Sequence, residues 1–156
     1  MPYPVLTSRS DLLKMLDELT QARRKILDLC ERLTPEQLHD PVYPGTWSVL
    51  KNLAHLAWAE QYMLAWIKTR PNALPNEKWP QEPPHELGTL RTALDEAHAE
   101  AIAFLKSAPD SVFTEKCRYG RDAREETVGG VLFHLVEHEI GHRAFVMHKI
   151  GKLQLK

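Results

Sequence analysis

The sequence has few of the features that characterise secreted, membrane-spanning and nucleic-acid-binding proteins. It contains only two cysteines, Cys30 and Cys117, which lie far apart and form no C-x-x-C pair. We therefore expect reduced thiols rather than a disulfide. The formal net charge of −1 predicts neither a nucleic-acid-binding surface nor a polybasic membrane patch. No apolar run approaches the ~20 residues that span a bilayer, and the residues after Met1 do not resemble a signal peptide.

These absences favour a soluble protein, and we expect a cytoplasmic one. Apolar residues make up 43% of the chain, an ordinary share for a globular domain. The length of 156 residues then predicts a single domain that spans residues 1–156.

Apolar residues recur with helical spacing in four long segments. The predicted helices begin near Ser8 or Ser10, Thr46–Ser48, His85 and Thr127, and the last three end near Thr69, Ser107 and Ile150. Arg23 and other charged residues of the first helix are assigned to its solvent face, and Gly151 is predicted to be the C-cap of the fourth. Between the third and fourth helices, either Val112-Phe113 or Cys117-Arg118-Tyr119 could form a short extended piece.

The second helix is apolar around nearly its whole circumference, so it needs more than one partner surface. We expect one side to face the core and the other to form a homodimer. Five prolines between Arg70 and Pro84 exclude a helix after it. A connection of this length lets the third helix run parallel to the second. The prediction is an all-α four-helix bundle with up-down-down-up topology and a long proline-rich crossover between helices 2 and 3.

Histidines in apolar surroundings mark the candidate site. His138 and His142 are one turn apart, about 40° around the fourth helix, a spacing at which two imidazoles can bind one metal ion. The best candidate for a third ligand is His55 on the second helix. Two roles are compatible with His134: it either supports one of the metal ligands or is a core residue. His39, His85 and His98 are assigned no role, and His148 is expected to contact carbonyls at a helix end.

Trp47-Ser48 at a helix start, His55 seven residues after Ser48, and the series His134-x3-His138-x3-His142-Arg143 together resemble the DinB-like family. That resemblance implies a metal-binding four-helix bundle in which His55, His138 and His142 hold a divalent cation. It also implies a small-molecule substrate, with a low-molecular-weight thiol as one candidate, and either thiol transfer or hydrolysis as the reaction. Imidazole ligands do not distinguish zinc from nickel or iron.

Two other functions compete with this interpretation. His138–His142 also matches the H-E-x-x-H signature of zinc proteases, with Glu139 as general base and His148 as third ligand. A continuing helix would turn His148 about 240° away from His142, so we instead expect Glu139 on the solvent side or at an interface. The second competitor is a non-catalytic metal-binding or interaction bundle.

No catalytic acid or base is predicted. Three residues close to the predicted ligands were considered for a place in the site. Tyr62 and Trp58, which follow His55 on the second helix, are interpreted as core residues. Arg143 is interpreted as a partner in a surface ion pair.

Overall fold

Four long helices account for most of the structure. The computed structural model describes residues 8–70, 84, 86–120 and 122–154. The elements are α1 (Arg9–Cys30), α2 (Pro35–His39), α3 (Val49–Thr69), α4 (Leu87–Ser107), a 3₁₀ helix (Asp110–Thr114), β1 (Lys116–Tyr119), β2 (Arg124–Thr127) and α5 (Val128–Gln154). The long helices α1, α3, α4 and α5 correspond to the four helices predicted from the sequence. The short helix α2 lies between the first two of them.

Three of the long helices begin at a hydroxyl side chain that caps the first turn. Ser8, Ser48 and Thr127 each accept a hydrogen bond from the backbone N–H three residues later, at 3.3, 3.1 and 3.0 Å. Such caps satisfy one of the N–H groups that a helix start leaves unpaired. The predicted starts of the first, second and fourth helices are therefore confirmed.

The end of α5 differs from the prediction. Gly151 is not a C-cap, because the helix continues through it to Gln154. The reason is packing: Leu153, two residues further on, is only 8% exposed and belongs to the hydrophobic core. Burial of that leucine favours another turn of helix.

A small antiparallel hairpin precedes α5. Its first strand contains Cys117, Arg118 and Tyr119, one of the two segments for which an extended piece was considered. The other segment, Val112-Phe113, instead lies in the 3₁₀ helix, and both of its side chains are buried. Gly120 follows β1 with a φ of +74°, a conformation that glycine adopts without strain. Cys30 and Cys117 are both free and buried, as expected for reduced thiols.

The membership of two core clusters fixes the directions of the helices. The first cluster joins the early part of α1 and of α5 to the late part of α3 and of α4, through Leu16, Leu132, Ile67 and Leu105. The second joins the late part of α1 and of α5 to the early part of α3 and of α4, through Leu27, Val146, Leu50 and Leu90. Thus α1 and α5 run one way and α3 and α4 the other, which confirms the up-down-down-up topology. The predicted proline-rich crossover falls at residues 71–83, outside the described residues.

The apolar circumference of α3 is largely covered by the chain itself. This helix packs against α4 and α5 and also contacts α2 and β1. Twelve of its residues are buried, including Leu56, Met63 and Leu64. These contacts supply the additional partner surface that the sequence required, so the homodimer through this helix stays a prediction. Within the described part of the chain, no helix has the length and hydropathy needed to cross a membrane.

Candidate metal centre

Three histidines from two antiparallel helices converge. His55 lies two turns into α3, and His138 and His142 lie one turn apart near the middle of α5. One ring nitrogen of each residue lies within 4.8 Å of the corresponding nitrogens of the other two. The Nε2 atoms of His55 and His138 lie 3.0 Å apart. The predicted convergence of the three rings is therefore confirmed, and their role as metal ligands stays a prediction.

The donor set fits a divalent cation. Two nitrogens bound to one tetrahedral zinc ion at about 2.0–2.1 Å would lie about 3.4 Å apart. The distance of 3.0 Å between His55 and His138 and the upper bound of 4.8 Å for all three nitrogens bracket this value. The ring centroids of the three histidines are 4.5–4.9 Å from one another. Imidazole nitrogens this close need either shared protons or a shared cation to satisfy them. A cation coordinated by all three rings satisfies them together.

Burial keeps the three rings uncharged at neutral pH. Desolvation, reinforced by the neighbouring imidazole of His142, lowers the pKa of His55 to about 4. Desolvation and the three nearby imidazoles lower the pKa of His138 to about 3, and desolvation also lowers the pKa of His142. A neutral imidazole has the free lone pair that metal coordination requires. The site is thus electrostatically prepared to bind a cation.

Asn52 orients one of the rings. Its Oδ1 lies 3.3 Å from Nδ1 of His142, and its own Nδ2 donates to the carbonyl of Ser48 at 2.8 Å. With the amide held this way, Nδ1–H of His142 donates to Asn52, and Nε2 is left as the nitrogen available to a metal ion. Asn52 is buried, and it was not among the site residues predicted from the sequence. The available signal was a polar residue three positions before His55 in an otherwise apolar helix.

Trp47 forms a wall of the site. Its ring packs edge-on against His55 at 5.0 Å and is stacked on His142 at 6.0 Å between centroids. Trp58, which was considered for this place, instead packs against the second core cluster. Tyr62 packs beside Trp66, with ring centroids 6.1 Å apart. Both were predicted to be core residues, but both are only partly buried: Trp58 packs against the core from outside, and Tyr62 belongs to neither core cluster.

Two cavities flank the three histidines. The larger, of about 390 Å³, reaches His142 and is lined by Tyr43, Thr46, Trp47, Asn52, His142, Phe145, His148 and Lys149. The smaller, of about 250 Å³, reaches the other two ligands and is lined by His55, Ala59, Met63, Trp66, Tyr119, Gly120, Arg124, His134 and His138. The cluster is therefore accessible from two sides, and the larger cavity has the size of a site for a small molecule.

His134 lies beside the centre but does not belong to it. Its ring is 5.8 Å from that of His138 and 5.9 Å from that of Tyr119, and its Nδ1 lies 3.4 Å from a carboxylate oxygen of Glu137. Its side chain is half-buried and lines the smaller cavity. Arg143 lines neither cavity and forms no ion pair with any described residue. The surface ion pair predicted for Arg143 is therefore not found in the described part of the chain.

A buried charge network lies on another side of the ligand-bearing helices. Arg23 of α1 contacts carboxylates of both Glu60 and Glu139, with 2.9 Å from Nη2 to Glu60 and 3.0 Å from Nε to Glu139. His98 contacts the second oxygen of Glu60 at 2.8 Å, and its other nitrogen lies 3.0 Å from the carbonyl of Leu16. All four charged or polar residues are at most 4% exposed.

This network corrects three predictions. Arg23 is not on a solvent face, Glu139 is neither solvent-exposed nor at an interface, and His98 is a buried partner of Glu60. Each was misplaced because a charged residue was expected to face water, whereas here opposite charges from different helices pair in the core. Since both oxygens of Glu139 contact Arg23, the carboxylate is not placed as a general base at the metal. His148, the third ligand of the protease interpretation, stacks near Tyr43 instead.

Comparison with known proteins supports the same fold. The sequence model of the DinB superfamily matches residues 18–146. Solved structures with a similar fold include a DinB-like protein from Bacillus cereus, with a TM-score of 0.67 at 18% identity over 86% of this chain and 87% of that one. Another is TT2238, a four-helix bundle protein, with a TM-score of 0.66 at 20% identity over 90% of this chain and 99% of that one.

A third similar structure is YfiT from Bacillus subtilis, described as a probable metal-dependent hydrolase with an unusual four-helix bundle topology. Its TM-score is 0.68 at 18% identity, over 92% of this chain and 87% of that one. At these identities the structural likeness establishes the fold alone. Among curated proteins, no sequence matches this chain.

Proposed function

This chain belongs to the DinB superfamily, and we propose that it is an enzyme that uses a divalent metal ion in a reaction on a small molecule. The observation that carries the proposal is the convergence of three neutral imidazoles between two cavities. A structural metal site is usually closed by four protein ligands, whereas a catalytic one keeps a position open. Three ligands with space on two sides match the second arrangement.

The residues of the site have distinct roles in this proposal. His55, His138 and His142 hold the cation, and Asn52 fixes the tautomer and the orientation of His142. When bound, the cation supplies Lewis acidity, which favours the anionic form of a water or thiol nucleophile near neutral pH. Trp47 covers two of the ligand rings and limits the access of bulk water to them. Since all three ligands are neutral, none of the cation's charge is cancelled by the protein ligands.

Two reactions follow from this chemistry, and the nucleophile distinguishes them. Hydrolysis uses water, and its support is the similarity of the fold to YfiT, a protein described as a probable metal-dependent hydrolase. Transfer to a low-molecular-weight thiol uses a thiolate, and its support is the family resemblance in the histidine pattern. Zinc, nickel and iron all suit imidazole ligands.

The first test is metal content. Protein purified without an affinity tag should contain about one divalent ion per chain, and the variants His55→Ala, His138→Ala and His142→Ala should lose it. His134→Ala is the matched control, because this histidine lies one turn before His138 and outside the cluster. Elemental analysis measures the stoichiometry. A wild-type protein that binds no divalent ion at any tested concentration would overturn the proposal.

The second test separates a catalytic from a structural centre. The cobalt-substituted protein should change its visible spectrum when a small thiol or azide is added, because an open position accepts an added ligand. A panel of small esters and amides, and a thiol with an electrophilic acceptor, then compares hydrolysis with thiol transfer. An unchanged spectrum together with no turnover in either assay would favour the non-catalytic metal-binding bundle.

A further inference from the structure

A lysine lies in the larger cavity without an acidic partner. Lys149 of α5 is only 5% exposed, yet it forms no ion pair with any described carboxylate. The polar contact of its Nζ is with Oγ1 of Thr46, at 3.0 Å. Charged side chains are seldom buried unless a group of opposite charge compensates them. Burial accordingly lowers the pKa of this ammonium group below its ordinary value.

The surroundings of Lys149 indicate which kind of ligand would balance the charge of its ammonium group. None of the described residues that line this cavity is acidic, and its walls include the aromatic rings of Tyr43, Trp47 and Phe145. His142 lines the same cavity. Seven residues of helix separate Lys149 from His142, which corresponds to about 10 Å along the axis of α5 and places both on similar faces.

We propose that Lys149, positioned by Thr46, forms a subsite that binds the carboxylate of a small aromatic or apolar acid, whose reactive group then faces His142. This inference rests on the proposed function only where it places the reactive group of the acid near His142. Binding of the carboxylate by Lys149 requires no metal. A carboxylate is favoured over a phosphate by charge: one ammonium group in apolar surroundings balances one negative charge, whereas a phosphate monoester carries about −1.5 to −2. The hydroxyl of Thr46 accepts from Nζ of Lys149 at 3.0 Å and donates to the carbonyl of Tyr43 at 2.8 Å, so it positions the ammonium group at the cavity wall.

The test uses metal-free wild-type protein and 3-phenylpropionate, with its neutral amide and inorganic phosphate as comparison ligands. Isothermal titration calorimetry should show that the acid binds at least about tenfold more tightly than the amide, since a hydrogen bond to a charged group is stronger than a neutral one. Inorganic phosphate should bind more weakly than the acid. Equal affinities for the acid and the amide would overturn the proposal, and tighter binding of phosphate would replace the carboxylate with a phosphate ligand.

Variants locate the subsite. Lys149→Met keeps the length of the side chain without its charge and should reduce the affinity for 3-phenylpropionate about tenfold while leaving that for the amide unchanged. Lys152→Met is the matched control, because this lysine lies on the same helix but is exposed. If Lys149→Met does not fold, Thr46→Val with the same ligand pair removes the hydroxyl that positions Nζ of Lys149 and should reduce the preference for the acid. An unchanged acid preference in both variants would refute the assignment.

The two proposals fail independently. Wild-type protein that binds metal at the three histidines but shows no preference for the acid would retain the metal-dependent function and lose the subsite. Protein that binds no metal but prefers the acid, with the preference lost in Lys149→Met, would retain the subsite and lose the metal-dependent function.

Discussion

Replacing Arg23 with methionine tests whether the buried charge network stabilises the bundle. In the described structure the guanidinium contacts Glu60 and Glu139 and also donates to the carbonyl of Leu94 at 2.9 Å. Methionine retains much of the apolar volume and removes the charge. Both carboxylates would then stay in the core without this cation, and Glu60 alone would keep its contact with His98. Arg24→Met is the matched control, because this neighbouring arginine is exposed.

The expected loss can be bounded from the chemistry of the carboxylates. Breaking a buried ion pair by removing one partner costs about 3–5 kcal/mol. The carboxylates can instead take up a proton, which at pH 7 costs about 3.7 kcal/mol for a group of ordinary pKa ~4.3, and at pH 5 costs about 1 kcal/mol. We therefore expect Arg23→Met to lower the free energy of unfolding by about 3–5 kcal/mol at pH 7. This is a large part of the roughly 5–15 kcal/mol that stabilises a domain.

The stability difference between Arg23→Met and the wild type should depend on pH, and the pKa of Glu60 gives the direction of that dependence. In the wild type, burial opposes ionisation of Glu60, but His98 and Arg23 outweigh it, and the pKa of Glu60 lies below its usual value. Ionised Glu60 contributes stability that is fully present above the unfolded-state pKa of this residue. That stability is lost as the pH falls through its folded-state pKa. In Arg23→Met one of the two groups that lower the pKa of Glu60 is gone, so burial should instead raise this pKa above its unfolded value. The variant therefore takes up protons on folding, and its deficit relative to the wild type should shrink from pH 7 to pH 5.

Urea unfolding at both pH values measures the effect for the wild type, Arg23→Met and Arg24→Met. The exposed control should stay within about 0.5 kcal/mol of the wild type. Replacing Glu60 and Glu139 with glutamine in the Arg23→Met background should restore part of the lost stability, because no charge is then left unpaired. A deficit for Arg23→Met that is no larger than that of Arg24→Met, or one that grows toward pH 5, would refute the reasoning.

Three further predictions concern the metal centre and the thiols. Asn52→Leu should weaken metal binding about 10–100-fold in a chelator competition, because the hydrogen bond that orients His142 is lost; an unchanged affinity would contradict that role. In metal-free protein, the pKa values of about 4 for His55 and about 3 for His138 lie below the unfolded value of about 6.5. The free energy of unfolding should thus decrease as the pH falls below about 6.5, and urea unfolding of His138→Ala should show a weaker decrease. Burial raises the pKa of Cys30 to about 12 and that of Cys117 to about 11, so a disulfide reagent at pH 8 should label neither until the protein is unfolded.

The features that local patterns specify could be predicted from the sequence. Hydroxyl caps and apolar spacing defined where three of the helices start, because both act within a few residues of the chain. The pair His138 and His142 was recognisable because one turn of helix fixes their separation whatever the fold. His55 could be added only as the remaining histidine in an apolar helix, and its position opposite the pair depended on the antiparallel packing of α3 against α5.

The charge network could not be predicted in the same way, although part of the signal was present. Arg23 follows Leu19 by four residues and precedes Ile26 by three, so it occupies a core position of the apolar stripe of α1. Glu139 likewise follows Leu135 by four residues, and both are buried. Without a partner, a charge at either position would be unfavourable in the core. Only the three-dimensional arrangement shows that charges from different helices compensate one another, since their partners lie 37 and 116 residues apart in sequence.

The contrast between His138 and Glu139 explains why one short motif supports two different chemistries. Adjacent residues point about 100° apart on a helix, so a ring that faces the metal leaves the next side chain aimed elsewhere. In a zinc protease that side chain reaches the metal-activated water, whereas here Arg23 of α1 holds it in the core. A similar pair occurs on α3, where His55 belongs to the histidine cluster and Glu60 contacts Arg23. Each ligand-bearing helix is thus anchored by a carboxylate to the same guanidinium, which restrains both helices from rotating their histidines out of the centre.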